Sequence, residues 1–227
     1  MINKEEMLSQ MLSVQDTVNS NVDVNWKSKN REWYRAAWVE TAELMDSFAY
    51  KWWKHQVNDY NNAKIEVIDI WHFVLAKCIE CNVTSDIIVQ HWKDHKPIED
   101  LLVTIERLAF TLLKVKFEGA SIVSVVEVLS NICNHLELSL EDIYIYYIGK
   151  ATLNNFRQNY GYKEGTYIKL WAPKDIDGDG HPVEDNEFLT AILKDYLGSK
   201  NIPDNLQSII YSRLKKDYPG EKYPELN

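Results

Sequence analysis

Apolar side chains recur every three or four residues along most of this chain, which is the spacing that lines one face of an α-helix. In the first segment they continue to about residue 19, and Asn3 with Glu6 predicts a reciprocal cap at its start. Ser139 and Asp142 predict a second such cap. Further helices are predicted over about 32–54, 62–81, 97–116, 120–137, 139–156 and 187–197, and from after Pro203 to about 216.

Few residues in the chain favour tight turns. Only eight glycines and six prolines occur in 227 residues, which favours long helices. The segment 120–137 is rich in β-branched residues, but its length and its lack of turn signals favour a buried helix. Pro97 suits the first turn of the helix predicted over about 97–116. We therefore expect an all-α protein built as a multi-helix bundle.

The predicted helices are assigned to one domain over residues 1–227. The helices that carry the candidate chemistry described below occupy 1–81 and 139–165, and C-terminal helices occupy 186–217. The stretch 82–137 carries no evident chemistry, so we interpret it as a second helical layer or a dimer surface. Asp175–Gly180 resembles the start of a calcium loop but lacks the bidentate Glu at the twelfth position. It is interpreted as an acidic surface loop, with weak calcium binding as the alternative.

The charge and the cysteine content exclude several classes of protein. A net charge of −9 disfavours a general nucleic-acid binder, which would carry a basic face. Three cysteines form no disulfide framework, so a reducing compartment is expected. No signal-peptide pattern and no apolar run of roughly 18 residues is evident. These features favour a cytoplasmic protein without a membrane partner.

Two of the predicted helices each carry a pair of acids three residues apart. Glu40 and Glu43 form one pair, and Glu66 and Asp69 form the other. Such a pair lies on one face of its helix, and here the neighbours in sequence are apolar. If the helices pack side by side, four carboxylates converge, and buried charges persist only when they are paired or bind a metal. Oxygen ligands favour Mg²⁺ or Mn²⁺, so this cluster is the candidate catalytic centre.

An amide pair and an aromatic segment are candidates for binding a nucleoside. Gln15 and Asn19 project the same way from the first helix, either as an ordinary polar face or as a reader of a base edge. Trp53 and Lys54 belong to K-W-W-K-H at residues 51–55, predicted to end the second helix. Tryptophan and lysine there either stack on a base and contact phosphate or serve as core and solvent-facing residues.

A stripe of cationic and amide side chains is a candidate phosphate site. Lys150, Asn154 and Arg157 follow one another at helical spacing, and a loop with two glycines carries Lys163. Arginine contacts phosphate through two parallel hydrogen bonds and lysine as a point charge. The alternative is a solvated helix end whose cations interact with the helix dipole.

Taken together, these segments resemble a known family. E-x-x-E followed after 22 residues by E-x-x-D is similar to the all-α nucleoside triphosphate pyrophosphohydrolases. Longer words resemble the dimeric dUTP diphosphatases within that superfamily, over nearly the whole chain and least over 82–137. These words are L-S-V-Q-D-T-V-N, E-T-A-E-L-M-D-S-F, I-E-V-I-D-I-W-H-F, V-E-D-N-E and the stretch from Tyr147 to Tyr167.

The resemblance implies a role for each matching residue. Glu40, Glu43, Glu66 and Asp69 would hold Mg²⁺, with Mn²⁺ as a possible substitute. Gln15 and Asn19 would read the uracil and deoxyribose end. Lys150, Asn154, Arg157 and Lys163 would contact phosphates, with Trp53 and Lys54 nearby and Asn159 and Asn186 as additional contacts. The resemblance also implies a homodimer whose smaller, mobile helical part closes over substrate beside a rigid catalytic layer.

The reaction implied is metal-dependent hydrolysis of dUTP, and of dUDP, to dUMP. Pyrophosphate leaves from dUTP, and uracil is thereby kept out of DNA. Glu43 is the expected residue to orient or deprotonate the attacking water. One alternative is a broader enzyme that takes dCTP or modified nucleotides. Two others are a di-iron carboxylate bundle, for which Asp69 and His72 give one approximate Glu-x-x-His match, and a non-enzymatic helical protein.

Overall fold

A computed structural model of the chain describes residues 2–97, 99–171, 183–199 and 201–222. The acidic loop Asp175–Gly180 lies outside these residues. The described residues form two compact units. One is Asn3–Tyr144, and the other runs from Ile145 onward and includes Ile2. The prediction of one domain over 1–227 stays a prediction, and each unit is described by itself.

Six α-helices and one short 3₁₀ helix at Trp26–Ser28 build the first unit. The α-helices are α1 Lys4–Val22, α2 Trp33–Asp46, α3 Tyr60–Glu80, α4 Ser85–His91, α5 Leu101–Phe117 and α6 Val123–His135. Helix α7, Leu140–Asn159, begins in this unit and continues into the second. The all-α prediction is therefore confirmed, including a helix within the valine-rich segment 120–137.

The core of the first unit is built around α3. Ile70, Trp71 and Leu75 on this helix are fully buried, and α3 packs against α1, α2 and α6. The predicted side-by-side packing of the two acid-bearing helices, α2 and α3, is confirmed. Ala37, Thr41 and Leu44 form the buried stripe of α2, with the spacing of one helix face.

Both predicted capping boxes are present. The Asn3 side chain accepts a hydrogen bond from the Glu6 amide, and the Glu6 carboxylate accepts one from the Asn3 amide. Ser139 and Asp142 make the same reciprocal pair at the start of α7. These bonds satisfy amide groups that have no partner within the helix.

The predicted extension of α2 to about residue 54 is wrong, because the helix ends at Asp46. The Gln56 side-chain amide donates to the Asp46 backbone carbonyl at 2.7 Å, and the Asp59 backbone amide donates to the Ser47 carbonyl at 2.8 Å. These bonds fold residues 47–59 back as a loop. K-W-W-K-H therefore lies in a loop rather than on a helix.

Two further boundaries differ from prediction. Helix α5 begins at Leu101 rather than near Pro97, because the Asp100 side chain accepts from the amides of Leu102 and Val103 and acts as its cap. The polar stretch 82–96 contains the short helix α4.

The second unit contains the end of α7, three further helices and a small antiparallel ribbon. The elements are β1 Leu170–Trp171, β2 Val183–Glu184, α8 Asp185–Leu193, α9 Leu206–Asp217 and α10 Pro219–Lys222. Leu170 pairs with Glu184 across the ribbon. An aromatic cluster forms the core, with the Phe156 ring 5.2 Å from that of Tyr218 and 6.0 Å from that of Trp171.

Candidate metal centre and substrate-binding residues

Three of the four predicted acids converge between α2 and α3. One carboxylate oxygen from each of Glu40, Glu43 and Glu66 lies within 4.8 Å of the other two. Glu40 and Glu43 each come directly before a residue of the buried stripe of α2. They therefore lie along the edge of that stripe, on the side of α2 that packs against α3. Asp69 lies three residues after Glu66 on α3, outside the group of mutually close oxygens.

Glu66 is the buried member of this group, with only 8% of its surface exposed. Burial raises the pKa of its carboxyl from an ordinary 4.5 to about 7, and the charges of the neighbouring acids contribute. Asp69 gives the largest of these charge effects, so it acts on the cluster although its oxygens lie outside the close group. A hydrogen bond from Asn62 works in the opposite direction.

The surroundings of the cluster are apolar on one side only. On α3, Val67, Ile68 and Ile70 are buried as predicted. On α2, Trp38 and Val39 are 46% and 45% exposed, so the expectation of an apolar setting is wrong for these two residues, whereas Leu44 is buried. Trp38 and Val39 therefore point away from the core, although they are apolar. Glu43 is exposed, which gives the cluster a side open to solvent.

This donor set fits hard divalent cations. All three converging groups are carboxylates, the ligands that Mg²⁺ and Mn²⁺ prefer. Among the described residues, no lysine or arginine forms an ion pair with Glu43 or Glu66. Buried carboxylates without a neighbouring cation are electrostatically unfavourable, and a bound divalent ion would remove that repulsion.

The amide pair of α1 is linked to α3 by hydrogen bonds. The Gln15 Nε2 group donates to Asn19 Oδ1 at 3.0 Å, and His72 Nδ1 lies 2.9 Å from Gln15 Oε1. Gln15 is 4% exposed, so the alternative of a solvated polar face is wrong for this residue. The Asn19 Nδ2 group is buried and has no hydrogen-bond partner among the described residues.

Sequence reasoning assigned no substrate-related role to His72. Its signal in the sequence is the Asp69-x-x-His72 spacing, which approximates half of a di-iron motif. In the structure its Nδ1 atom is directed at Gln15, and the group of close carboxylates among the described residues contains no histidine. The contact argues against the di-iron alternative.

In the second unit, Arg157 is held by the carboxylate of Asp185. Its Nε and Nη2 groups donate to the two oxygens of Asp185 at 2.8 and 2.7 Å. Asp185 is completely buried and also accepts from the Tyr167 hydroxyl at 2.8 Å. A guanidinium has five N–H donors, and Nη1 also donates to Asn154 Oδ1 at 3.4 Å, so Arg157 keeps a further donor on Nη1 for a phosphate.

The remaining predicted phosphate contacts lie at the end of α7 and in the turn after it. Lys150 and Asn154 are half-buried, whereas Asn159 and Lys163 are exposed. Asn159 donates to the Tyr211 hydroxyl at 3.1 Å. The turn requires glycine at position 161, where φ is +83° and an added Cβ would lie 2.0 Å from the Thr166 hydroxyl oxygen. Asn186 Oδ1 lies 3.4 Å from Arg157 Nη2.

The loop that follows α2 presents aromatic rings to solvent. Trp52 is 91% exposed and Trp53 is 60% exposed, with their rings 5.6 Å apart. Lys54 is also exposed. The interpretation of this segment as ordinary core is therefore wrong, and the open ring faces suit stacking on a base.

Comparisons with known proteins agree with the resemblance found in the sequence. A protein-family model described as dUTPase matches residues 7–162, which is more than half of the chain. A search of curated proteins with the sequence of this chain found no match. None of the helices in the described ranges is long and apolar enough to cross a membrane.

Proposed function

The chain belongs to the dUTPase family and is a dUTP diphosphatase, and from this premise we propose that it hydrolyses dUTP to dUMP and pyrophosphate with divalent cations held by its acid cluster. The observation that carries the metal dependence is the convergence of Glu40, Glu43 and Glu66, in which Glu43 and Glu66 have no cationic partner within the described parts of the chain. We assign Mg²⁺, with Mn²⁺ as a substitute, to these residues and Asp69.

The acid cluster would bind divalent cations and would also supply a general base. Cations bound there would neutralise phosphate charge and lower the pKa of a coordinated water. Glu43 is the exposed member of the group, so it is the carboxylate best placed to orient or deprotonate the attacking water. Attack at the β-phosphorus would make dUDP a second substrate.

We assign the two ends of the substrate to different residues. Gln15 and Asn19 take the uracil and deoxyribose end, because the buried Gln15 and the unsatisfied, buried Nδ2 donor of Asn19 suit a polar base edge. The exposed Trp53 and Lys54 would contact the base and phosphates. The phosphate contacts are assigned to Lys150, Asn154, Arg157 and Lys163, with Asn159 and Asn186 as additional contacts.

The proposed assembly is a homodimer in the cytoplasm. Val103, Phe110 and Phe117 on α5 are exposed and recur every seven residues, the spacing of a seam that another helix can cover. They lie in the stretch 82–137 that sequence reasoning proposed as a dimer surface. Three free cysteines support a reducing compartment.

The experiment that tests this proposal measures product release from a panel of nucleotides. The purified chain is incubated with dUTP, dUDP, dCTP and dTTP, with Mg²⁺ or with excess EDTA. We expect pyrophosphate from dUTP and phosphate from dUDP only with metal. Undiminished dUTP turnover in EDTA would refute the metal dependence. Equal kcat/KM for dUTP and dCTP would favour the broader enzyme.

A further inference from the structure

We propose that His72 is a positioning residue that fixes the direction of the hydrogen bonds running from α3 to the amide pair of α1. It thereby makes Asn19 a donor toward a base carbonyl rather than an acceptor toward a base amino group. This inference rests on the proposed role of Gln15 and Asn19 in base recognition and adds a determinant of specificity to it.

The geometry forms a chain of two consecutive hydrogen bonds. His72 Nδ1 lies 2.9 Å from Gln15 Oε1, and Gln15 Nε2 donates to Asn19 Oδ1 at 3.0 Å. An amide oxygen only accepts, so the first bond requires a proton on His72 Nδ1. The Asn19 oxygen is then occupied by the Gln15 amide, and the group left over is the buried Asn19 Nδ2.

The same side chains allow the opposite direction. If His72 Nδ1 carried a lone pair, Gln15 would turn its amide to donate to that nitrogen and would present its oxygen to Asn19. Asn19 would then donate to Gln15, and its own oxygen would be left over. Whether His72 Nδ1 carries a proton therefore decides whether Asn19 offers hydrogen-bond donors or an acceptor to the base.

The direction matters because uracil and cytosine differ at one exocyclic group. Uracil carries a carbonyl acceptor at C4, as thymine does, and cytosine carries an amino donor there. A buried N–H group without a partner is unfavourable by about 1–3 kcal/mol, so Asn19 gains from a carbonyl and not from an amino group. With the C4 group of the base at Asn19 Nδ2, this direction of the hydrogen bonds selects dUTP over dCTP.

The test compares two substitutions of similar size at His72. In His72→Asn the new side-chain amide can still donate to the Gln15 oxygen. In His72→Asp the carboxylate can only accept, so it reverses the direction of the two hydrogen bonds. We measure kcat and KM for dUTP and dCTP with Mg²⁺. His72→Asn should keep the dUTP to dCTP ratio of kcat/KM within about threefold, and His72→Asp should lower it by about tenfold or more, mainly through KM.

Matched controls are His95→Asn and His95→Asp, because His95 is exposed and lies outside the site. Neither should change the ratio. The inference is overturned if both His72 variants change the ratio equally or if neither changes it. An unchanged ratio in Gln15→Ala would overturn it as well, by removing the base-reading role on which it depends. Absence of dUTP hydrolysis by the native chain would instead refute the function itself.

A measurement on the native protein covers the case in which His72→Asp does not fold. Two-bond ¹H–¹⁵N spectra of the histidine rings distinguish a proton on Nδ1 from one on Nε2, and the His72→Asn spectrum assigns the signal. We expect Nδ1 of His72 to be protonated. A neutral ring with its proton on Nε2 only would overturn the proposal.

Discussion

Replacing Glu66 with glutamine should stabilise the metal-free protein at neutral and alkaline pH. The substitution keeps the shape of the side chain and its hydrogen bond with Asn62 but removes the buried charge. The pKa of the native carboxyl is raised from 4.5 to about 7, chiefly by burial and then by the neighbouring acids. Since each pKa unit equals about 1.4 kcal/mol, ionised Glu66 lowers the free energy of unfolding by roughly 3 kcal/mol.

The sign follows from proton binding. Between pH 4.5 and about 7 the folded state holds a proton on Glu66 that the unfolded chain has released. The free energy of unfolding of the native protein therefore falls as pH rises through this window, and the loss is complete above it. Glu66→Gln carries no such charge, so its advantage should be near zero below pH 4.5 and largest near pH 8.

The assay is thermal unfolding in EDTA across this pH range. A change of 1 kcal/mol moves Tm by about 2–4 °C for a chain of this size, so the variant should melt on the order of 10 °C higher at pH 8. Mg²⁺ should raise the Tm of the native protein more than that of the variant, because binding to the folded state stabilises it. The control is Glu106→Gln, an exposed acid on α5. A gain that did not depend on pH, or a loss at pH 8, would refute the electrostatic reasoning.

Three further outcomes are expected. Glu43→Gln should lower kcat at least 100-fold with little change in Tm, since the side chain is exposed and serves as the proposed base; turnover within tenfold of native would exclude that role. Asp69→Asn should weaken activation by Mg²⁺, seen as a higher metal concentration at half-maximal rate, and an unchanged titration would remove it from the metal site. Asp185→Ala should lower the free energy of unfolding by about 3–5 kcal/mol because it leaves Arg157 buried without its partner. The exposed Asp195→Ala, measured by urea unfolding alongside, should cost less than about 1 kcal/mol.

The features that could be predicted from the sequence are those set by helical spacing. The capping boxes at Asn3 and Ser139 depend on residues three apart, and both are present. The acid pairs depend on the same spacing, which places each pair on one helix face. That α2 and α3 are neighbours is a conditional inference from the sequence, and it is confirmed because the two helices pack against each other.

What could not be predicted depends on contacts between distant residues. Helix α2 stops at Asp46 because Gln56 and Asp59 fold the chain back on its end, although the sequence beyond Asp46 is compatible with a helix. Asp185 meets Arg157 from 28 positions away, and His72 meets Gln15 from 57 positions away. No local pattern marks these partners. The exposure of Trp38 and Val39 was missed for a related reason, because apolar neighbours in sequence need not face the core.

The buried charges of this protein fall into two kinds that sequence alone does not separate. Asp185 is matched by Arg157 through two hydrogen bonds, so its charge is already neutralised and its removal should destabilise the fold. Glu66 is surrounded by further acids, so its charge is unfavourable in the folded chain and its removal should stabilise it. A protein retains such an unfavourable charge for a reason other than its own stability, and binding a cation is the reason that the ligand set supports. Opposite signs for the two substitutions would therefore separate the carboxylate that holds the fold together from the one that serves the reaction.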